Sequence, residues 1–182
     1  AGSADGNSNE EDTTGTVGQG GADSTAPTVT FSPVNGTTGI GVSDNITITF
    51  SEAVRGIDNT ELTNNNVDNL ITLKLNNSSG NNINFDATIN TDKTVIIINP
   101  ATNFLSSQEV YVSIGATVED QAGNAITAVN ATFTTGIDPS LEAYYPFNGN
   151  AEDLTSNGRN FTVYGNTSLT SGRDNSSNSA YY

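Results

Sequence analysis

Between Asn45 and Val54 the chain reads NITITFSEAV, and its side chains alternate without interruption. Ile46, Ile48 and Phe50 fall on one side, and Thr47, Thr49 and Ser51 on the other. A period of two is the spacing of a strand with one buried and one solvated face. The density of β-branched residues argues the same way, because Ile and Thr lose side-chain freedom in a helix and fit a pleated surface well. Ser51 and Glu52 end the apolar face. This is the expected core strand.

The rest of the chain is read around it. Ala26-Pro27 opens a first strand, TVTFSP, in which Val29 and Phe31 alternate with Thr28, Thr30 and Ser32 until Pro33 stops it. Asn35-Gly36 marks a turn, Ile40 and Val42 a short second segment, and Asp44-Asn45 the lead into the core strand. Residues Arg55 to Asn69 have no clean period and are expected to form a loop or a short irregular element. ITLKL puts Ile71, Leu73 and Leu75 on one face; NNSSGNN is a hairpin-type connection; INFDATI answers with Ile83, Phe85, Ala87 and Ile89 inward. After the NTDK turn, TVIIIN is apolar on both faces, the composition of a strand covered on both sides, and Pro100 ends it. EVYVSI, the DQAGN turn at Asp120 to Asn124, and a last strand carrying Ala131 and Phe133 complete the series before Gly136. Short alternating strands between turn residues, with no helical period, predict an all-β, two-sheet antiparallel sandwich of roughly 100 residues.

Composition narrows the chemistry. The chain has no Cys and no His, which removes disulfides, thiol nucleophiles, imidazole bases and the N/S ligands that zinc prefers. Twenty acidic residues against five basic ones give a net charge of -15, which repels phosphate backbones and anionic membrane surfaces. No nucleic-acid partner is expected, whereas hard cations such as calcium are compatible with the charge. No apolar run approaches the roughly 20 residues of a membrane span and no leader opens the chain, so no membrane insertion is expected. The expectation is a mature, processed extracellular or cell-surface chain.

Three segments follow from these contrasts. Residues 1–25 carry one large aliphatic side chain, Val17, among Gly, Ser, Asp, Glu and Thr, and are expected to be a flexible acidic linker. Residues 26–136 form the sandwich. Residues 137–182 begin a second unit.

The motifs carry two resemblances. APTVTFSPVNGTTGIGVSDNITITFSEAV, VEDQAGNAI and the closing ATFTTG are similar to the bacterial SbsA-type immunoglobulin-like domain over about Asp23 to Gly136. That resemblance implies an immunoglobulin-like sandwich and a module that spaces or presents other parts of surface-layer proteins, adhesins or secreted multidomain enzymes, without catalysis. LEAYYPFNGNAEDLTSNGRNFTVYGN resembles the opening of laminin-G-like, concanavalin-type jelly rolls, with an aromatic strand first. It covers Leu141 to about Tyr182, an incomplete jelly-roll segment, and implies a region that engages a partner or a carbohydrate. Its unpaired aromatic residues lead to two expectations: further strands of a longer chain complete the fold, or the segment adds to a neighbour's sheet and builds a filament from copies of the chain. Other surface proteins and glycans are the remaining partner classes, and an accessory region of a larger secreted enzyme is the alternative role.

Asp120, Asn124 and Asp153 are the candidate calcium ligands, since hard cations take carboxylate and carbonyl oxygens from turns. Asp23 and Glu52 join them only if the fold brings them together. An Asx turn, in which Asp120 caps backbone N–H groups and Gly123 or Asn124 turns left-handed, explains the same residues without a metal. Hydrolysis by two carboxylates requires one acid held protonated by burial, and Glu142 and Asp153 are the only acids in an apolar frame. Tyr144, Tyr145, Tyr164, Tyr181 and Tyr182 have the chemistry to stack on sugar rings, and sandwich aromatics also serve as core. The N-x-[ST] triplets at Asn45, Asn130 and Asn160 matter only in a glycosylating host.

Overall fold

A computed structural model describes residues 23–147, 149–165, 168–171 and 180–181. Most of the expected linker therefore lies outside the described residues, as do Asn148 and Tyr182. In chain order the strands are β1 (Val29–Ser32), β2 (Thr38–Ile40), β3 (Ile46–Phe50), β4 (Arg55–Gly56), β5 (Ile71–Leu75) and β6 (Phe85–Ile89), then β7 (Val95–Pro100), β8 (Glu109–Ile114), β9 (Val118–Glu119), β10 (Val129–Thr135), β11 (Leu169–Thr170) and β12 (Ala180–Tyr181). A 3-10 turn, Val67–Leu70, precedes β5.

Two four-stranded sheets face each other, one ordered β1-β3-β7-β6 and the other β2-β10-β8-β5. β3 lies inside the first sheet, pairing Ile48 with Phe31 on one side and with Ile96 on the other. Its inward residues Ile46, Ile48 and Phe50 are buried together with Ile96, Ile98, Val110, Val112, Ile114, Ala131 and Phe133. Phe104 meets Phe133 edge to face at 5.9 Å, a favoured aromatic geometry. All ladders are antiparallel except β2 against β10, where Thr38 and Ile40 run parallel to Thr134 and Thr135.

Two expectations are corrected. ITLKL and INFDATI do not close a hairpin: β5 pairs with β8 while β6 pairs with β7 in the opposite sheet, and only a single bridge joins Lys74 to Asn82. The connecting residues cross from one sheet to the other, so the two apolar faces meet across the core instead of within a ribbon. TVIIIN is not covered on both sides, because Ile97 faces out and is 43% exposed. The stretch expected to be irregular contains β4 as well as the 3-10 turn, and β4 pairs with β9 through Arg55 opposite Glu119.

Beyond the sandwich, Tyr144 to Phe147 forms no ladder; β11 and β12 are a two-residue ribbon. What organises residues 141–161 is Asp153. Its carboxylate accepts hydrogen bonds from the backbone N–H of Tyr144, Thr155 and Arg159 and from the Thr155 hydroxyl, at 2.8–2.9 Å. Burial works to raise this carboxyl, but those donors outweigh it and hold it well below the usual carboxylate range. Beside it Tyr145, Phe147 and Phe161 gather with near-parallel rings.

The chain enters and leaves the sandwich at opposite ends. Val29 at the start of β1 lies opposite Phe50, whereas Gly136, just after β10, donates its N–H to Ile40 and accepts from Ser107. β10 itself runs the length between them, from Val129 beside Ile114 to Thr134 beside Glu109.

Phe50→Ala removes a core ring that is 3% exposed at the last position of β3, the end where the chain enters. The expected loss is about 3–5 kcal/mol, read as a lower denaturation midpoint with an unchanged m-value. A loss below 1 kcal/mol would mean that β3 does not anchor the two sheets.

Candidate metal centre

Asp120 follows β9, and its side chain organises the turn after it. One carboxylate oxygen accepts from the backbone N–H of Ala122 and of Asn124, both at 2.8 Å, and the other from the Asn124 amide nitrogen at 2.8 Å. Gly123 has φ +93°, the left-handed conformation that glycine adopts without steric cost. Ile126 returns its N–H to Val118, and Ala125 bridges to Glu119, so the turn closes as a small ribbon. The turn is thus built as the Asx reading requires. Asp120 is 1% exposed; burial favours its neutral form, yet the Asn124 side chain and the surrounding amides prevail and lower its pKa.

The fold brings two further acids to this turn. Glu52 comes from the end of β3, where Ser51 Oγ accepts from the Thr28 N–H and so ties the entering chain to the core strand. Asp23 precedes β1, and its carbonyl oxygen accepts from the Asn124 amide nitrogen at 3.1 Å. One carboxylate oxygen each from Asp23, Glu52 and Asp120 lies within 4.8 Å of the others. Asp23 is exposed, Glu52 half-buried and Asp120 buried, so the trio runs from solvent to the protein's edge.

Asn124 turns its nitrogen, not its oxygen, toward Asp120 and Asp23, and so acts as the clamp between the turn and the entry. Asp153 belongs to no group of three possible metal-binding side chains among the described residues, and both of its oxygens already accept hydrogen bonds. Glu119, next to Asp120, is held by Arg55 at 3.1 Å and compensated there. The sequence did not single out this ion pair, since no motif links Arg55 to Glu119; only the β4–β9 register joins them.

Three carboxylate oxygens so close together are of the donor type that calcium takes from proteins. The lateral hollow beside β5 and β6, lined by Ile71, Leu73, Ile83 and Phe85, shares no residue with the cluster.

Solved structures with a similar fold include an L,D-transpeptidase from Mycobacterium smegmatis (18% identity, 62% of this chain and 41% of that chain, TM-score 0.37). CopC from Methylosinus trichosporium OB3b matches at 14% identity over 65% of this chain and 99% of that one, with a TM-score of 0.41. Domains 1–6 of the surface layer protein SbsC match at 12% identity over 81% of this chain and 20% of that one, with a TM-score of 0.45. This chain therefore spans about two fifths of the transpeptidase and one fifth of the surface layer chain. No curated protein matches it. With TM-scores below 0.5, these likenesses carry no argument. The family match, by contrast, covers 23–135, the whole sandwich together with Asp23, Glu52 and Asp120, and on it the chain belongs to the bacterial Ig-like domain family.

Proposed function

We propose that the chain is a non-catalytic module of an extracellular or cell-surface protein, whose sandwich spaces the parts before and after it. The observation that carries this reading is the passage of the chain from end to end. It enters beside Phe50 and Asp120 and leaves beside Ile40 and Ser107. At about 3.3 Å per residue, the seven residues of β10 alone separate the two by about 23 Å. Modules joined in this way extend in series. The -15 net charge keeps neighbours apart and soluble, and among the described residues no helix is long and apolar enough to cross a membrane. With neither Cys nor His, thiol nucleophiles and imidazole bases are missing.

The chain has no native Cys, so Ser24→Cys and Ser140→Cys give a unique label pair. Spin labels there should report one narrow separation above about 20 Å. A short separation, placing entry and exit on the same side, would defeat the spacer reading.

Calcium at Asp23, Glu52 and Asp120 is the second part of the proposal, with Asn124 as positioning residue. Bridging Asp23 to the β3 and β9 ends would offset two of the three negative charges and fasten the entering chain. A ligand bound only by the folded state stabilises it by about 2.7 kcal/mol at a hundredfold excess over its dissociation constant. Melting scans should show a higher Tm in calcium than in chelator, and the shift should shrink in Glu52→Gln. Identical curves would leave the cluster as an Asx turn beside two unrelated acids.

The aromatic group favours a second role for the laminin-G-like segment, as a glycan- or partner-binding region, including the accessory-region alternative. Phe161 is 55% and Tyr164 81% exposed, and the rings of Tyr145 and Phe161 lie 4.2 Å apart at 33°. Exposed rings stack on the apolar faces of sugars. Affinity electrophoresis against neutral polysaccharides should retard the chain, and Phe161→Ala with Tyr164→Ala should abolish the retardation; equal mobility on every polysaccharide would refute it.

A further inference from the structure

β6 is an edge of its sheet, and an edge strand offers a row of unpaired backbone groups to any other strand. Asn90, on the hairpin side, donates its N–H to Val95. By the alternation of a strand, the N–H groups of Phe85, Ala87 and Ile89 therefore point away from β7. Two of these three are taken by side chains of the preceding loop. Ala87 donates to Asp68 Oδ1 at 2.8 Å, and Ile89 to Asn64 Oδ1 at 2.9 Å. The two acceptors match the two-residue period of a ladder, so a loop does the work of a strand.

That loop is fastened as a strap. Leu62 and Val67 are buried in the core, Lys93 donates to the Leu62 carbonyl and pairs with Glu61, and Asn66 bonds both Thr63 N–H and Glu61 carbonyl. Asn64 and Asp68 supply its hydrogen bonds to β6 itself.

Beneath the strap β6 is complementary to itself. In an antiparallel pair of two copies centred on Ala87, Phe85 meets Ile89, Asp86 meets Thr88, and Ala87 meets Ala87. Phe85 and Ile89 are partly buried against the core, so they would extend one apolar face across the pair. No two like charges are opposed, because Asp86 faces a hydroxyl. The outward N–H groups of residues 85, 87 and 89 are those that this register would use. The pairing is isologous and closes at two copies.

We propose that the segment Glu61–Leu70 is an edge guard, that Asn64 and Asp68 keep β6 from pairing with β6 of a second copy, and that removing those two acceptors opens a two-fold dimer interface. The net charge of each copy opposes association, and salt screens that repulsion.

The test uses the full chain and the double variant Asn64→Ala/Asp68→Ala. The parent should sediment as a monomer with slow amide exchange at Ala87 and Ile89. The variant at low concentration should exchange both amides about tenfold faster or more, as expected from losing hydrogen bonds to polar and charged acceptors. At high concentration and high salt it should become a dimer, with those amides slow again. Adding Thr88→Glu places a carboxylate opposite Asp86 and should return it to a monomer. A folded double variant that stays monomeric at all concentrations overturns the proposal, as does dimerisation indifferent to Thr88→Glu. Should the double variant not fold, Asn64→Ala alone decides: unchanged exchange at Ile89 would show that the side chain guards nothing.

Discussion

Burial of one face of β3 against β8 and β10 is the interaction on which the rest depends. Ile46, Ile48 and Phe50 are 1%, 0% and 3% exposed, and each large side chain fully removed from water contributes roughly 1.5–3 kcal/mol. A one-residue slip of β3 would send all three to solvent and Thr47 and Thr49 into the core. The register with β1 and β7 is therefore dictated by the core and not by the turns. Since Glu52 and Ser51 follow Phe50 directly, that register also decides where the entry strand is tied and where the Glu52 carboxylate stands.

Period and turn chemistry made most of the sandwich legible. Val29–Ser32, Ile46–Phe50, Ile71–Leu75, Glu109–Ile114 and Val129–Thr135 alternate over a core they half face, and local sequence states that directly. Partner choice is not a local property. ITLKL and INFDATI read equally well as a hairpin or as two strands on facing sheets, because both arrangements bury Leu73 and Ala87; the crossing at residues 82–84 decides, and no single residue announces it. The exposure of Ile97 was hidden for a related reason, since an unbroken apolar run cannot say which of its faces lacks a cover. In the candidate site, the Asp120 turn was legible from its own spacing. The convergence of Asp23 and Glu52 depends on contacts about a hundred residues apart, such as the one joining Asn124 to Asp23.

The abundance of Asn and Thr acquires a structural sense from the hydrogen bonds. Asn90 Oδ1 accepts from Thr94 and Val95 N–H to close the β6–β7 turn. Asn35 Oδ1 accepts from Thr132 N–H where β2 has not yet begun, and Asn64 accepts from Ile89 beyond the last strand of its sheet. Each amide stands where a backbone carbonyl would stand if the ladder continued. A fold of short strands has many ladder ends, and every buried N–H at such an end must find an acceptor. Short polar side chains supply them without adding charge to a chain that already carries -15.

That surplus of negative charge is not spread evenly in its consequences. Glu119 is offset by Arg55, and Asp153 by four donors within its own segment. Asp120 is satisfied by its turn, but its satisfaction fixes it next to Glu52 and Asp23, and among the described residues none of the three is in an ion pair. The most exposed of the three is Asp23, which the Asn124 clamp holds by a backbone carbonyl rather than by its carboxylate. The entry is thereby attached without neutralising it. The backbone is thus secured while the charges stay unpaired, and calcium bound there, as proposed, would act where the chain enters the sandwich.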